Sequence, residues 1–242
     1  MKKWIVGLVT LVLVLTLAAP VFAQEDDCLS KGGWWDPDAE TCTLRNGLDF
    51  TVHYPLELTA YPFADQVVND YFTEARNSYI TELLSAGFMP TPGYIWAFQA
   101  DYETFDFSDT LVSYNFTVYT FTGGAHGMTT FKSFVFDLAN EKVLALEDLF
   151  QPGTDPLAVI APVAQAKATE QLSEMTDAGW IAQGTAPDPA NYANWVVTPD
   201  ALVFYFEPYQ VAAYAAGPQT ISIPWSELEG LAEPFASAAA AS

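Results

Sequence analysis

Apolar residues recur along the chain with two different periods, which indicates both helices and strands. Between residues 64 and 83 they return every three or four positions, the spacing that places side chains on one face of an α-helix. Gly87 follows and is suited to end this helix in a left-handed conformation. A second segment with helical spacing covers residues 157–175, where Pro162 removes a backbone donor and predicts a kink or a later start.

Strand-like runs rich in branched and aromatic residues lie before, between and after the two predicted helices. Ser108 and Asp109 join two of these runs in the manner of a hairpin, and Asn140 sits in a turn after another, where it tolerates the left-handed region. The runs cover residues 48–58, 94–107, 111–121, 128–138, 194–197 and 202–206. We therefore expect an α+β fold in which antiparallel β-sheets pack with two main α-helices.

The N-terminus has the pattern of a signal peptide. Two lysines precede an apolar run that is shorter than the roughly 20 residues a membrane-spanning helix needs, and Val21-Phe22-Ala23 follows a proline. We expect cleavage after Ala23, which removes residues 1–23. The product is then secreted or extracytoplasmic, with no membrane segment left after cleavage.

The chain is strongly acidic, with a net charge of −22. Loss of Lys2 and Lys3 with the signal peptide leaves six basic residues against 30 acidic ones, a net charge of −24. Such a surface repels the phosphate backbone of nucleic acids and anionic membranes. It favours a basic partner, although the same charge also serves solubility alone.

The only two cysteines, Cys28 and Cys42, lie in a segment that also contains Gly32, Gly33 and Pro37. In an exported protein this pair predicts a disulfide that closes the loop of residues 24–47. Closure of a loop of this size contributes about 3 kcal/mol in the entropic account of disulfide stabilisation.

One of the two histidines, His126, lies between glycines in FTGGAHGMTTF. Three roles fit it: a hydrogen-bonded residue that shapes a turn, part of a binding surface, or a general base. In the catalytic reading, Asp137 or Asp148 orients the ring, and Ser113 or Thr129 supplies the nucleophile of a hydrolase acting on an envelope polymer. No nucleophile-elbow motif accompanies these residues.

We expect neither a metal nor a cofactor. Zinc needs three or four ligands, and two isolated histidines with an oxidised cysteine pair do not provide them. The tryptophans leave a carbohydrate-binding role open, because exposed aromatic rings stack on sugars while buried rings fill cores.

Three ordered segments resemble the RsiV-type extracellular domain, a family of unknown function also found in PdaC-type cell-envelope deacetylases. These segments are GGAHG, FDLANEKVLALEDLF and YFEPYQVAAYAAGPQTISIP, at residues 123–127, 136–150 and 205–224. The region from residue 48 to 121 is similar to the companion domain that precedes this family. The chain departs from the family pattern at Ala213, where a proline is usual before Tyr214.

The resemblance implies a domain order. Residues 48–122 are expected to form a PdaC-type companion subdomain and residues 123–236 the RsiV-type domain. The segment 237–242 has nothing large to bury and is expected to be a disordered tail.

The resemblance also implies a free-standing envelope module that binds or senses a ligand and is not a catalyst. Lysozyme or another basic protein is one expected partner, since the RsiV-type domain binds lysozyme and opposite charge favours encounter. Peptidoglycan is the other. The candidate ligand-binding residues come from the first and third segments: Gly123, Gly124, His126, Gly127, Tyr209 and Tyr214.

Overall fold

A computed structural model describes residues 33–36, 41–44, 47–85, 87, 95–172 and 174–241, with side chains from residue 48 onward. The chain divides into two compact units, residues 1–46 with 90–94, and residues 47–89 with 95–242. In the first unit, β1 (Gly33–Asp36) pairs antiparallel with β2 (Thr41–Leu44). The predicted signal peptide, Cys28 and the Cys42 side chain lie outside the described residues, so the leader and the disulfide stay predictions.

In its described part, the second unit contains four α-helices and two β-sheets, which confirms the expected α+β class. The helices are α1 (Pro62–Ser85), α2 (Pro156–Leu172), α3 (Ala178–Gly184) and α4 (Phe235–Ala241). The strands are β3 (Gly47–Val52), β4 (Ile95–Asp106), β5 (Leu111–Phe121), β6 (Met128–Asp137), β7 (Lys142–Val143), β8 (Trp195–Val197), β9 (Ala201–Phe206) and β10 (Gln219–Pro224). None of the described helices is long and apolar enough to span a membrane.

The larger sheet has the strand order β3-β4-β5-β6-β7. Its neighbours are antiparallel except for β3 and β4, which run parallel. The parallel pair departs from the expected antiparallel sheet, and its cause is the connection: α1 lies between the two strands in sequence and brings the chain back in the same direction. Strand β6 pairs along its length with β5, so the sheet continues past residue 122, where we expect the subdomain to end.

Strand β5 contributes to a core on each face of this sheet. Tyr114, Phe116 and Val118 are buried on the face covered by α1, where Phe116 meets Phe72 edge-on at 4.8 Å between ring centroids. Ser113 lies on the opposite face and is fully buried against β8. Because side chains alternate along a strand, one strand serves both cores.

The second core lies between the larger sheet, the three-stranded sheet β10-β9-β8 and α2. Its fully buried side chains include Ile160, Leu172, Phe204 and Trp225. Phe235 of α4 packs 5.0 Å from Trp225, between ring centroids. A helix to residue 241 therefore occupies the segment expected to be a disordered tail, and the apolar side chain that anchors it lies just before that segment.

Two local expectations from the sequence need correction. Helix α2 begins at Pro156 and runs through Pro162, so that proline does not delay its start. In the turn after β6 the positive φ belongs to Glu141, at 51°, and not to Asn140. The Asp137 carboxylate accepts hydrogen bonds from the amides of Ala139 and Asn140, which holds Asn140 in the earlier part of the turn.

Candidate functional site

The glycine-rich link between β5 and β6 brings its histidine to the surface. Gly123 and Gly124 have φ values of 95° and 94°, a left-handed region that glycine enters without the steric cost of a Cβ. The chain can thereby reverse over a few residues. His126 follows this reversal and is exposed, whereas Gly127 is buried.

The imidazole of His126 stacks on the ring of Tyr214 from the loop after β9. Their ring centroids lie 3.9 Å apart with 23° between the ring planes. His126 Nδ1 lies 2.9 Å from the Gly127 carbonyl oxygen, and the Tyr214 hydroxyl donates to that oxygen, also at 2.9 Å. Since a carbonyl only accepts, Nδ1 carries the hydrogen in this contact, and no partner of Nε2 is present among the described residues.

Tyr209 extends this arrangement. Its side chain is 47% exposed, and its ring centroid lies 5.6 Å from that of Tyr214. Its φ of 72° is unusual for a residue with a Cβ. The indole N–H of Trp180 donates to the Tyr209 carbonyl oxygen at 2.9 Å, which helps to hold this conformation.

Tyr119 of β5 also belongs to the cluster, although it is not among the residues selected from the sequence. A Cβ placed on Gly127 would lie 2.3 Å from the Tyr119 ring, so glycine allows that ring to rest against the main chain. Tyr119 is 37% exposed. Alternation along β5 was the available signal, because it directs residue 119 away from the α1 face that buries Val118.

We call Tyr119, His126, Tyr209 and Tyr214 the aromatic surface. The structure therefore brings together the predicted residues His126, Gly127, Tyr209 and Tyr214, and Gly123 and Gly124 shape the approach to them. Aromatic rings with an imidazole nitrogen and hydroxyl groups at their edges are suited to stacking and hydrogen bonding.

The residues considered for catalysis lie elsewhere. The fully buried Ser113 accepts a hydrogen bond from the Val197 amide at 3.0 Å and has no histidine partner among the described residues. The Asp137 carboxylate is engaged in the turn after β6. Asp148 is bound by Lys142 and by the Ala145 amide. The arrangement of Asp137 or Asp148 beside His126, with Ser113 as nucleophile, is thus not formed.

Strand pairing places the remaining nucleophile candidate, Thr129, opposite Tyr119. The second histidine has an acidic partner, which His126 does not have among the described residues: His53 Nδ1 contacts Asp101 Oδ1, and both side chains are largely exposed. No hydroxyl group among the described residues is hydrogen-bonded to either imidazole. In the same part of the chain, no cluster of three or more histidine, cysteine or acidic residues is placed to hold a metal ion.

Two families match this chain in the predicted order. Residues 47–129 match the family described as deacetylase PdaC, and residues 147–226 match the family described as a protein of unknown function (DUF3298). The expected PdaC-type domain followed by a domain of unknown function is thereby confirmed.

Curated relatives and a solved structure extend the comparison. The chain is 28% identical over 176 residues to immunogenic protein MPT64 of Mycobacterium tuberculosis, covering 73% of this chain and 76% of that protein. It is 27% identical over 239 residues to esterase Rv3036c of the same species, covering 95% and 99%. A DUF3298 family protein of Pseudomonas aeruginosa has a similar fold, with a TM-score of 0.53 at 22% identity over 81% of this chain and 88% of that one.

Proposed function

Starting from a chain that joins a PdaC domain to a DUF3298 domain, we propose that this protein is an exported module of the cell envelope that binds cell-wall glycan at the aromatic surface. The observation that carries the proposal is the stack of the exposed His126 ring on the half-buried Tyr214 ring, extended by Tyr209 and Tyr119. Aromatic faces of this kind pack against the apolar faces of sugar rings, while hydroxyl groups and Nε2 meet sugar hydroxyls.

The geometry supports binding more directly than bond cleavage. The hydrogen bond to the Gly127 carbonyl fixes the His126 ring, and no described carboxylate is hydrogen-bonded to it. The strained main chain of Tyr209 is held by Trp180, a form of local strain that concentrates at ligand sites. A rigid aromatic surface loses little entropy when a ligand covers it.

Sedimentation with purified peptidoglycan tests the proposal. The fraction of protein that sediments, measured against the amount of peptidoglycan, gives an apparent affinity. This affinity should fall about tenfold for His126→Ala and for Tyr209→Gly, the loss expected when one stacking ring is removed. Tyr61→Ala is the matched control, because Tyr61 is a tyrosine of similar exposure, 38%, outside the aromatic surface. Equal retention of all three variants and the parent, or no sedimentation at all, contradicts glycan binding at this site.

A basic protein such as lysozyme is a second candidate partner, favoured by the net charge of −22. Complementary charge raises association rates, and salt screens the effect. Calorimetric titration with lysozyme should therefore show heat that weakens from low to moderate ionic strength. The absence of heat at both ionic strengths removes this candidate.

Hydrolysis is the alternative function, and the similarity to a protein named an esterase over nearly the whole chain favours testing it. Release of p-nitrophenol from short-chain esters measures it. Loss of that activity in His126→Ala with an unchanged unfolding midpoint would overturn a purely binding role. Loss only in His53→Ala or Asp101→Asn would move the site to the other imidazole.

A further inference from the structure

Within the described part of the chain, a strand covers the outer edge of β6 at one end only. Among the described strands, β7 pairs with Phe136 and Asp137, and the Leu144 amide donates to the Val135 carbonyl oxygen at 2.8 Å. Alternation along the strand directs the peptide groups of residues 131, 133 and 135 to this same edge. The amide of Phe131 meets a side chain, Glu207 Oε1, at 3.4 Å, and the Ser133 peptide group lies between these two positions.

A groove with a volume of about 350 Å³ lies along this edge. Val67 of α1 and Trp195 of β8 form its sides, and Lys132, Ser133, Phe134 and Val143 are among the residues that line it. The side chains that line it are mostly apolar, with one cation and one hydroxyl among them, and polar atoms make up nearly half of its exposed wall. Small pockets with apolar walls and a few polar groups are the usual form of a binding site.

Lys132 is unlike the other lysines of the described chain. Lys142 contacts Asp148 and Lys167 contacts Glu227, whereas no carboxylate in the described residues lies within ion-pair distance of Lys132. Its Nζ lies 4.9 Å from the centroid of the Phe134 ring and 5.2 Å from that of Tyr71. Burial lowers the pKa of Lys132.

This exception is informative in a chain with 30 acidic residues and eight basic ones. Acidic residues are abundant, yet among the described residues the Lys132 ammonium contacts two aromatic rings and forms no ion pair. A partly buried cation without a carboxylate retains a strong attraction for one, because the groove is less polar than water. The groove is therefore complementary to an anionic group despite the acidic surface around it.

We propose that this groove binds a short extended peptide that carries one carboxylate. The peptide main chain pairs with the Ser133 peptide group and continues the strand position of β7, as in strand addition. The carboxylate pairs with Lys132 Nζ, and an apolar side chain packs between Val67 and Trp195. A fatty acid or other simple carboxylate would use the cation but leave the strand edge unpaired.

Amide chemical-shift titration of the ¹⁵N-labelled chain from Gln24 onward tests this site. The probes are acetyl-Val-Glu-Val-amide and acetyl-Val-Gln-Val-amide, in salt of about 0.15 M so that long-range repulsion is screened within about 8 Å. The Glu peptide should shift the amides of Lys132, Ser133 and Val143, and the Gln peptide should bind about tenfold more weakly. This comparison uses a chain without substitutions, so it decides the matter even if a variant fails to fold.

Variants then locate the charge. Lys132→Met should lower the affinity for the Glu peptide to that for the Gln peptide, and Lys132→Arg should preserve the preference for the Glu peptide. Lys167→Met is the control, since it removes a distant lysine and should leave both affinities unchanged. Equal binding of the two peptides, shifts at other residues, or no binding by either up to about 10 mM overturns the proposal. Hexanoate that competes as strongly as the peptide overturns the strand-pairing part.

Discussion

Gly184, the last residue of α3, lies directly against the main chain that carries Tyr209. A Cβ at this position would stand 2.0 Å from the carbonyl oxygen of Gln210 and 2.8 Å from Val211 Cγ1. The side chain of Gln210 also donates to the Gly184 carbonyl oxygen at 3.1 Å and to that of Asn191 at 2.9 Å. The contact is therefore held from both sides, and Gly184→Ala forces the two segments apart.

Two opposing effects set the size of the change. Alanine favours a helix over glycine by about 1 kcal/mol at most. Overpacking of a close contact costs about 1–3 kcal/mol or more, and here the atom that must move belongs to the main chain. The clash wins, because moving the main chain places its cost near the upper end of that range, and after the helical gain is subtracted we expect the free energy of unfolding to fall by about 2 kcal/mol. For a chain of this size that corresponds to a melting temperature roughly 4–8 °C lower.

Urea unfolding followed by tryptophan fluorescence measures the loss, and the same variant should lose the peptidoglycan retention that depends on Tyr209. Gly179→Ala is the matched control, because it makes the same substitution in α3 at an exposed position whose nearest neighbour is the Asp177 carboxylate, at 3.1 Å. Its stability should stay within about 0.5 kcal/mol of the parent. A Gly184→Ala protein as stable as this control would refute the argument from close contact.

Three further changes separate structural from functional roles. The left-handed conformation of Tyr209 costs about 1 kcal/mol, which Tyr209→Gly removes, but the greater entropy that glycine loses on folding offsets most of this gain. Chemical denaturation should therefore show a stability within about 1 kcal/mol of the parent. A larger loss would make Tyr209 a structural residue. Ser113→Ala deprives the buried Val197 amide of its acceptor and should cost about 1–3 kcal/mol in the same assay, with no change showing that this bond is dispensable. Burial raises the pKa of Glu207 despite the hydrogen bond from the Phe131 amide. The unfolded chain therefore loses this proton at a lower pH than the folded chain does. The free energy of unfolding consequently falls as the pH rises from the ordinary carboxyl pKa towards the raised pKa of the folded state. Glu207→Gln should therefore stabilise the protein at pH 7 but not at pH 4, and equal effects at both pH values would contradict this assignment.

Much of the fold was predictable because its elements are encoded locally. The spacing of Val68, Phe72 and Leu83 places them on one face of α1, and Gly87 ends that helix region with a φ of 69°. Ser108 and Asp109 join β4 and β5 as expected. The predicted residues of the aromatic surface met because the first and third family-like segments fold against each other.

The remainder depended on contacts between distant segments. Tyr119 is one of many strand aromatics, and only the position of Gly127 shows where its ring lies. Trp180 is recognisable only once its indole reaches the Tyr209 carbonyl, 29 residues away. The groove at Lys132 arises where β7 ends early, and a strand of two residues leaves no clear periodicity in a sequence.

The shared role of β5 has a practical consequence for anyone who divides this protein. The two family matches, residues 47–129 and 147–226, invite expression as separate fragments. A cut between them would expose Ser113 and its neighbours in the first fragment, because the second sheet that covers them would be missing. In the second fragment it would expose the core that contains Phe204 and Trp225, because the larger sheet would be missing. Neither fragment would keep in solution the structure that it has in the whole chain, so ligand screens on isolated fragments would test altered surfaces.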